Sequence, residues 1–244
     1  MGRAFEYRKA AKLKRWGHMA KTFTRLGKQI AIAVKAGGPD PDSNSTLRGV
    51  IATCKRENMP KDNIERAIKN ALGKDQSDYK GMTYEGYGPH GIAVFVDTLT
   101  DNTTRTVADV RSVFNKFGGN LGTTGCVSFM FSSKGIIVAE ADGKDEDTVM
   151  EDVFDAGASD FTMEDDMIEI ETEPADFAAV RDALTDKGYK LVSADIEMIP
   201  ATYTELTDED SIKKMNLLLE HLEDNDDVQK VYHNWDMPDE EDED

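Results

Sequence analysis

The sequence has only two cysteines, Cys54 and Cys126, which stand 72 positions apart with no other cysteine near either. This spacing is neither a redox pair nor half of a zinc site, so both are expected to be reduced thiols in the protein core. The four histidines have no partner at helical spacing and no cysteine nearby. The sequence therefore contains no metal-ligand motif, and no metal or cofactor is predicted.

Long apolar runs are also missing. The longest, such as residues 30–34 and 92–96, are a fraction of the length that crosses a bilayer. The basic amino terminus is not followed by the apolar stretch and cleavage site of a secretory signal. A cytoplasmic protein without membrane contact is expected. The triplets that begin at Asn44 and Asn102 are therefore interpreted as helix-start residues and not as glycosylation sites.

Sequence patterns typical of enzymes are scarce. No serine, cysteine or lysine nucleophile has a base beside it in the sequence. Residues 86–91, Gly-Tyr-Gly-Pro-His-Gly, match the dinucleotide-binding pattern G-x-G-x-x-G, but a β-branched strand pattern follows where that motif needs a helix. A tight hairpin is the preferred interpretation. We expect a protein that is not an enzyme and that takes no small-molecule substrate.

Charge is divided unevenly along the chain, whose 244 residues carry a formal net charge of −19. Residues 1–80 hold 18 lysines and arginines against 8 acidic residues, residues 81–134 hold 4 of each, and residues 135–244 hold 7 against 36. A polyanion would be attracted to the amino-terminal segment and repelled by the carboxyl-terminal one. This asymmetry indicates which end of the chain would meet nucleic acid.

The basic segment has apolar residues at helical spacing. Helix formers, caps and glycine stops predict four helices, at 5–16, from 21 to 37, from a cap at Ser43 or Asn44, and from 60 to 73. Together they predict a helical amino-terminal domain.

Two of these helices carry cations on one face, with Glu6 as the only acidic residue among the first 39. A face that is merely solvated normally mixes both signs, so contact with a phosphate backbone is preferred over the solvated alternative, with Trp16 placed to stack on a base. The predicted nucleic-acid-binding residues on these helices are Arg8, Lys9, Lys12, Lys14, Arg15, Trp16, Lys21, Arg25, Lys28 and Lys35.

Arg105 has two possible roles that the sequence leaves open. Residues 100–106 form a polar loop that leads into a helix, and Arg105 and Arg111 lie nearly two turns apart on that helix. They extend the phosphate-binding surface, or Arg105 forms an internal ion pair with Asp97, Asp101 or Asp109.

The pattern changes at Met82 to alternating strands and helices. The predicted elements are strands at 83–87 and 92–97, a helix at 104–117, and strands at 126–131 and 135–140 on either side of the polar residues 132–134. A βαββαβ run follows, which is the ferredoxin-like arrangement. Its elements are a strand at 136–140, a helix at 146–156, strands at 159–163 and 167–172, a helix at 175–187 and a strand at 190–198.

The last helix and strand need a partner, because one of each makes no core. A helix that starts at Thr207 and a strand at 228–233 are predicted to complete the segment 82–133. The fold class is therefore α+β with three domains: a helical domain and two α/β domains, the last ferredoxin-like and inserted into the middle one. Their predicted limits are 1–80, 81–134 with 200–236, and 135–199, followed by an acidic disordered tail at 237–244.

Five segments in this order resemble the YebC/PmpR family. They are N-M-P-K-D-N-I-E-R-A-I at 58–68, Y-E-G-Y-G-P at 84–89, T-D-N with R-T within 100–106, F-G-G-N-L-G at 117–122 and V-S-F-M-F at 127–131. The resemblance implies a cytoplasmic protein of three domains without enzymatic activity. Members are described as DNA-binding transcriptional regulators, while others, including mitochondrial relatives, are translation factors on ribosomes that stall at proline-rich stretches. The opening residues 1–7 depart from the G-H-S-K-W-like string common in the family.

The sequence thus predicts a non-enzymatic regulatory protein that binds nucleic acid, DNA or ribosomal RNA, through the cations named above. The preferred role is a DNA-binding transcriptional regulator. One alternative is a ribosome-associated translation factor that relieves stalling at proline-rich stretches. An alternative of another class is a protein-interaction module that acts through the acidic domains.

Overall fold

The computed structural model describes residues 19–73, 78–164 and 166–237, with side chains from residue 22 onward. This part of the chain has the α+β class expected from the sequence, with seven α-helices and ten strands. None of the seven described helices is long and apolar enough to cross a membrane. The predicted helix at 5–16 and the predicted tail from residue 238 lie outside the described residues.

The helices are α1 (Met19–Gly37), α2 (Ser45–Arg56), α3 (Lys61–Ala71), α4 (Thr103–Lys116), α5 (Glu146–Asp155), α6 (Phe177–Asp186) and α7 (Glu209–Glu223). The strands are β1 (Lys80–Tyr87), β2 (Ala93–Thr100), β3 (Asn120–Leu121), β4 (Phe131–Glu140), β5 (Asp160–Glu164), β6 (Met167–Thr172), β7 (Lys190–Pro200), β8 (Thr204–Glu205), β9 (Val228–His233) and β10 (Trp235–Asp236). Short 3₁₀ turns lie at Pro89–Gly91 and Ser128–Met130.

Among the described residues, the chain divides into two compact units. Residues 131–201 form one unit, and the residues before 131 and after 201 form the other. The finer division into three domains, with limits at 80, 134 and 199, stays a prediction.

The first three helices pack around a small apolar core that includes Ile30, Leu47 and Cys54. Asn44 fixes the connection between α1 and α2. Its side-chain oxygen accepts a hydrogen bond from the Leu47 N–H at 3.0 Å. Its amide donates to the carbonyl oxygens of Ala33 in α1 and of Gly38 just after α1, each at 2.8 Å. The interpretation of Asn44 as a helix-start residue is confirmed, and Asn102 caps α4 in the same way.

A four-stranded antiparallel sheet in the order β3-β1-β2-β9 carries α4 and α7. Its core joins Val94 and Val96 of β2 with Phe114 of α4 and Leu218 and Leu222 of α7. The predicted union of the last helix and strand with the segment 82–133 is confirmed by this packing. The hairpin preferred over a dinucleotide site is also confirmed, because β1 and β2 pair along their whole lengths.

The unit of residues 131–201 has the βαββαβ order and an antiparallel sheet in the order β5-β6-β4-β7. This strand order is that of the ferredoxin-like fold, as the sequence predicts. Helices α5 and α6 contribute Val149, Val153 and Val180 to a core that also contains Ile137 and Ile168 from the sheet.

Two of the predicted elements are wrong. Residues 126–131 alternate like a strand, but the backbone N–H groups of Val127 and Ser128 are bound by Glu85, and residues 128–130 form a 3₁₀ turn. Residues 132–134 are not a break. They continue β4 and pair with Ile199, Met198 and Glu197 of β7, so sheet pairing overrides the turn preference of Ser132 and Ser133.

Candidate nucleic-acid interface

The helical spacing predicts that Lys28 lies on a cationic surface, but in the structure Lys28 lies in the interior. It is only 8% exposed. The Nζ atom is 2.8 Å from Oδ1 of Asp227 and donates to the carbonyl oxygens of Asp226 at 2.9 Å and Leu99 at 3.2 Å. This position corrects the prediction: Lys28 joins α1 to the segment that precedes β9 and to the end of β2.

The Asp227 carboxylate receives several donors besides Lys28. Arg105 Nη2 lies 2.7 Å from its Oδ2, and the hydroxyls of Thr106 and Thr100 donate to the same oxygen at 2.8 and 3.2 Å. Burial alone would raise the pKa of Asp227, but the hydrogen bonds from Arg105, Lys28 and Thr106 outweigh it and lower the pKa to about 2. Asp227 is therefore a carboxylate at neutral pH.

Arg105 takes the internal role that the sequence left open. It pairs with Asp101 at 3.1 Å and with Asp227 at 2.7 Å, and both carboxylates raise the pKa of Arg105. The ion pair with Asp101 was one of the alternatives drawn from the sequence. Asp227 was not, because it lies 122 residues further along the chain. The Arg105 side chain is 48% exposed.

The remaining cations of α1 differ in their surroundings. Arg25 donates through Nη2 to the carbonyl oxygen of Glu223, in the last turn of α7, where a cation is favoured by the helix dipole. Lys35, in the last turn of α1, lies 3.5 Å from Asp78. The side chain of Lys21 lies outside the described residues, as do all of Arg8, Lys9, Lys12, Lys14, Arg15 and Trp16.

An open cleft of about 470 Å³ lies beside the Lys28–Asp227 contact. Its charged lining residues are Lys28, Arg105, Asp101, Asp109, Asp226 and Asp227. Acidic residues outnumber cations there, and both cations already contact carboxylates. The cleft therefore does not offer free positive charge to a phosphate.

Helices α2 and α3 carry a second group of cations, which the sequence interpretation did not select. All five are exposed: Arg48, Lys55, Lys61, Arg66 and Lys69. Lys61 lies 3.5 Å from Glu65, and the Arg48 guanidinium donates to two carbonyl oxygens of the preceding loop at 3.4 and 3.5 Å. The sequence itself indicates this group, because residues 44–73 hold six cations against three acidic residues.

The thiols differ in exposure. Cys54 is buried and free, as expected, and burial raises its pKa to about 11. Cys126 is also free but only partly buried. Among the described residues, no group of three or more His, Cys, Asp or Glu side chains has the arrangement to hold a metal ion.

Two family models match the chain. The TACO1/YebC protein N-terminal domain matches residues 3–74, and the TACO1/YebC second and third domain matches residues 79–235. The chain is 62% identical to a protein of Phocaeicola vulgatus over 100% of both chains, and 64% identical to one of Bacteroides thetaiotaomicron over 96% of both. Each relative carries the name "Probable transcriptional regulatory protein".

A solved structure agrees with these matches. The crystal structure of the conserved hypothetical protein Aq1575 from Aquifex aeolicus has a TM-score of 0.81 and 39% sequence identity, with 91% of each chain covered. The resemblance drawn from five sequence segments is thereby confirmed, and the chain belongs to the TACO1/YebC family.

Proposed function

We propose that this chain is a non-enzymatic regulatory protein that binds nucleic acid through its amino-terminal helices. The observation that carries the proposal is the group of exposed cations on α2 and α3, within a basic segment of an otherwise strongly acidic chain. Phosphate contacts supply most of the sequence-independent affinity of such proteins. The acidic segment 135–244 would be repelled by nucleic acid, and this repulsion would restrict binding to the amino-terminal part of the chain.

The proposed surface combines cations that the sequence selects with cations that the structure adds. From α2 and α3 it takes the exposed Arg48, Lys55, Arg66 and Lys69, and it leaves out Lys61, which lies 3.5 Å from Glu65. Lys28 is left out, because its ammonium group is buried against Asp227. The predicted contacts that remain part of the proposal are Arg8, Lys9, Lys12, Lys14, Arg15, Trp16, Lys21, Arg25, Lys35 and, through its exposed edge, Arg105.

Transcriptional regulation is the preferred setting, because the relatives at 62% and 64% identity are named for it. Phosphate contacts position a protein without specifying sequence. A target site would therefore be selected by groups other than these lysines and arginines.

The proposal is tested by measuring affinity for duplex DNA and for single-stranded RNA as a function of salt concentration. Replacing Lys55, Arg66 and Lys69 together by alanine is expected to weaken binding. It should also reduce the slope of log affinity against log salt by up to about 0.9 per lost contact on duplex DNA and about 0.7 on single strands. Comparing the two ligands decides whether DNA or RNA is preferred.

A matched variant controls for the loss of three positive charges. Replacing Lys190, Lys213 and Lys214 by alanine changes the net charge equally, but in the acidic part of the sequence. This control should leave the salt slope unchanged. Equal effects of the two triple variants, or affinity that does not vary with salt, would refute the proposed surface.

A further inference from the structure

Phe129 is the most exposed large apolar side chain in the described part of the protein, at 78%. It lies in the 3₁₀ turn at Ser128–Met130, between β3 and β4. Val127, two residues earlier in the same loop, is fully buried. An aromatic ring that stands in water on an anchored loop contributes little to the fold's own core, so both of its faces are available to a ligand.

The loop that presents Phe129 is held by a buried carboxylate. Glu85 is 3% exposed, and its two oxygens accept hydrogen bonds from the N–H groups of Gly125, Val127 and Ser128, each at 2.8 Å. Burial alone would raise the pKa of Glu85, but these N–H donors outweigh it and lower the pKa. The negative charge of Glu85 is thus turned inward and used to order the loop.

Further contacts fix the same loop against β1. The Tyr87 hydroxyl donates to the Cys126 carbonyl oxygen at 2.8 Å, and the Gly122 N–H donates to the Glu85 carbonyl oxygen at 2.8 Å. The packing is close, since a Cβ added at Gly122 would lie 2.5 Å from Sγ of Cys126. Such an ordered loop loses little conformational entropy when its exposed ring binds a ligand.

The charge and side-chain size of the segment that carries Phe129 favour nucleic acid over an apolar protein surface. Residues 110–130 contain no acidic residue, although 48 of the 244 residues of the chain are acidic, and they include the exposed cations Arg111 and Lys116. The exposed residues 122–125 of the same loop are glycines and threonines. A single ring among small polar residues suits one flat base better than it suits a broad apolar patch.

We propose that Phe129 is a stacking platform for an unpaired nucleobase, on a loop that Glu85 holds in place. The inference rests on the proposed function, because it assumes that the chain binds nucleic acid. It goes further by placing a base contact outside the helical segment. Stacking on an aromatic ring is tolerant of sequence and requires a base that is free of a duplex.

The test uses the full chain and short oligonucleotides that contain the fluorescent base 2-aminopurine, as single-stranded RNA, single-stranded DNA and the corresponding duplex DNA. Phe129→Ala is expected to weaken single-strand binding about 5- to 100-fold and to remove the fluorescence quenching caused by stacking. Duplex binding should be unchanged. Phe129→Trp should retain binding, whereas Phe129→Leu should behave like the alanine variant, because leucine has no π-face.

Two further variants control for loop structure and for loss of an exposed phenylalanine. Phe154→Ala removes a ring that is 46% exposed in the other unit and should have no effect on binding. Glu85→Gln keeps Phe129 but weakens the N–H contacts, so single-strand affinity should fall by less than in Phe129→Ala. Melting curves followed by circular dichroism establish that each variant is folded.

The outcomes separate this inference from the proposed function. Salt-dependent binding that is unaffected by Phe129→Ala would overturn the stacking platform and leave the proposed function standing. Full binding by Phe129→Leu would also overturn it, because the ring would then act as an apolar group and not by stacking. A wild-type chain that binds none of the oligonucleotides would remove the proposed function itself.

Discussion

Helix α1 and the pair α2 and α3 are both rich in cations, yet the structure uses those cations differently. On α1, Lys28 is buried against Asp227 and Arg25 contacts the end of α7. On α2 and α3, Lys55, Arg66 and Lys69 are exposed to solvent. The apolar residues of both regions recur at helical spacing, so the apolar pattern does not distinguish them.

The difference teaches that a cationic helix face has two kinds of partner. A cation that is buried against carboxylates of its own chain is already neutralised, and removing it would leave a buried negative charge with one partner fewer. A face with no such neighbour keeps its field in the solvent and can attract phosphate. Lys28 and Lys55 both lie on amphipathic helices. They differ only in their tertiary neighbours, which bury Lys28 against Asp227 and leave Lys55 exposed.

The largest expected effect comes from removing the buried cation. Lys28→Ala should lower the free energy of unfolding by about 3 kcal/mol or more, because Asp227 would keep a buried negative charge with one partner fewer. Lys55→Ala should change it by no more than about 0.5 kcal/mol. Urea denaturation of both variants measures the contrast.

Binding measurements complete this first comparison. A folded Lys28→Ala variant should keep the salt slope of the wild-type chain for nucleic acid, since Lys28 is not part of the proposed surface. A loss of stability as small as that of Lys55→Ala would show that the Lys28–Asp227 contact contributes little in solution.

A pH titration of stability gives the next largest effect. The pKa of Asp227 is about 2 in the folded chain, below the value of about 3.9 expected in the unfolded chain. A lowered folded-state pKa stabilises the protein above the unfolded pKa, so this contribution of about 2 to 3 kcal/mol should be lost as pH falls from about 5 to 2. Asp227→Asn should show a shallower loss over the same range.

Glu85 also has a lowered pKa, and its contribution to the pH dependence is the same in the wild-type chain and in Asp227→Asn. The difference between the two pH profiles therefore reports Asp227 alone. Identical profiles would mean that the Asp227 carboxylate is not preferentially stabilised by its donors in the folded state.

A smaller effect than that of Lys28→Ala is expected at the carboxyl end of the same helix. Lys35 occupies the last turn of the helix and lies 3.5 Å from an exposed Asp78. Lys35→Ala should cost about 0.3 to 1 kcal/mol, mostly through the helix dipole, and high salt should reduce the cost. A cost as large as that of Lys28→Ala, measured by the same urea denaturation, would show that Lys35 is as important to stability as the buried Lys28.

Most of the secondary structure could be predicted because apolar spacing records which face is buried. The βαββαβ run is an example: it was predicted at 136–198, and its strands and helices are found between Phe131 and Pro200. The helix cap at Asn44 could be predicted from its side-chain chemistry. The strand predicted at 126–131 was wrong because alternation alone cannot reveal that Glu85, some 40 residues earlier, binds the loop's N–H groups. In the loop that this contact holds, Phe129 is exposed to solvent and is not a core residue.

The sequence by itself determined the division of charge, the spacing of the apolar residues and the family, since each is a property of residue order. Only the tertiary structure decided which cations are at the surface. Lys28 and Asp227 are 199 residues apart, and no local pattern links them. Their contact exists because α1 packs beside the start of β9, and it is this packing that converts a predicted phosphate ligand into part of the protein's own interior.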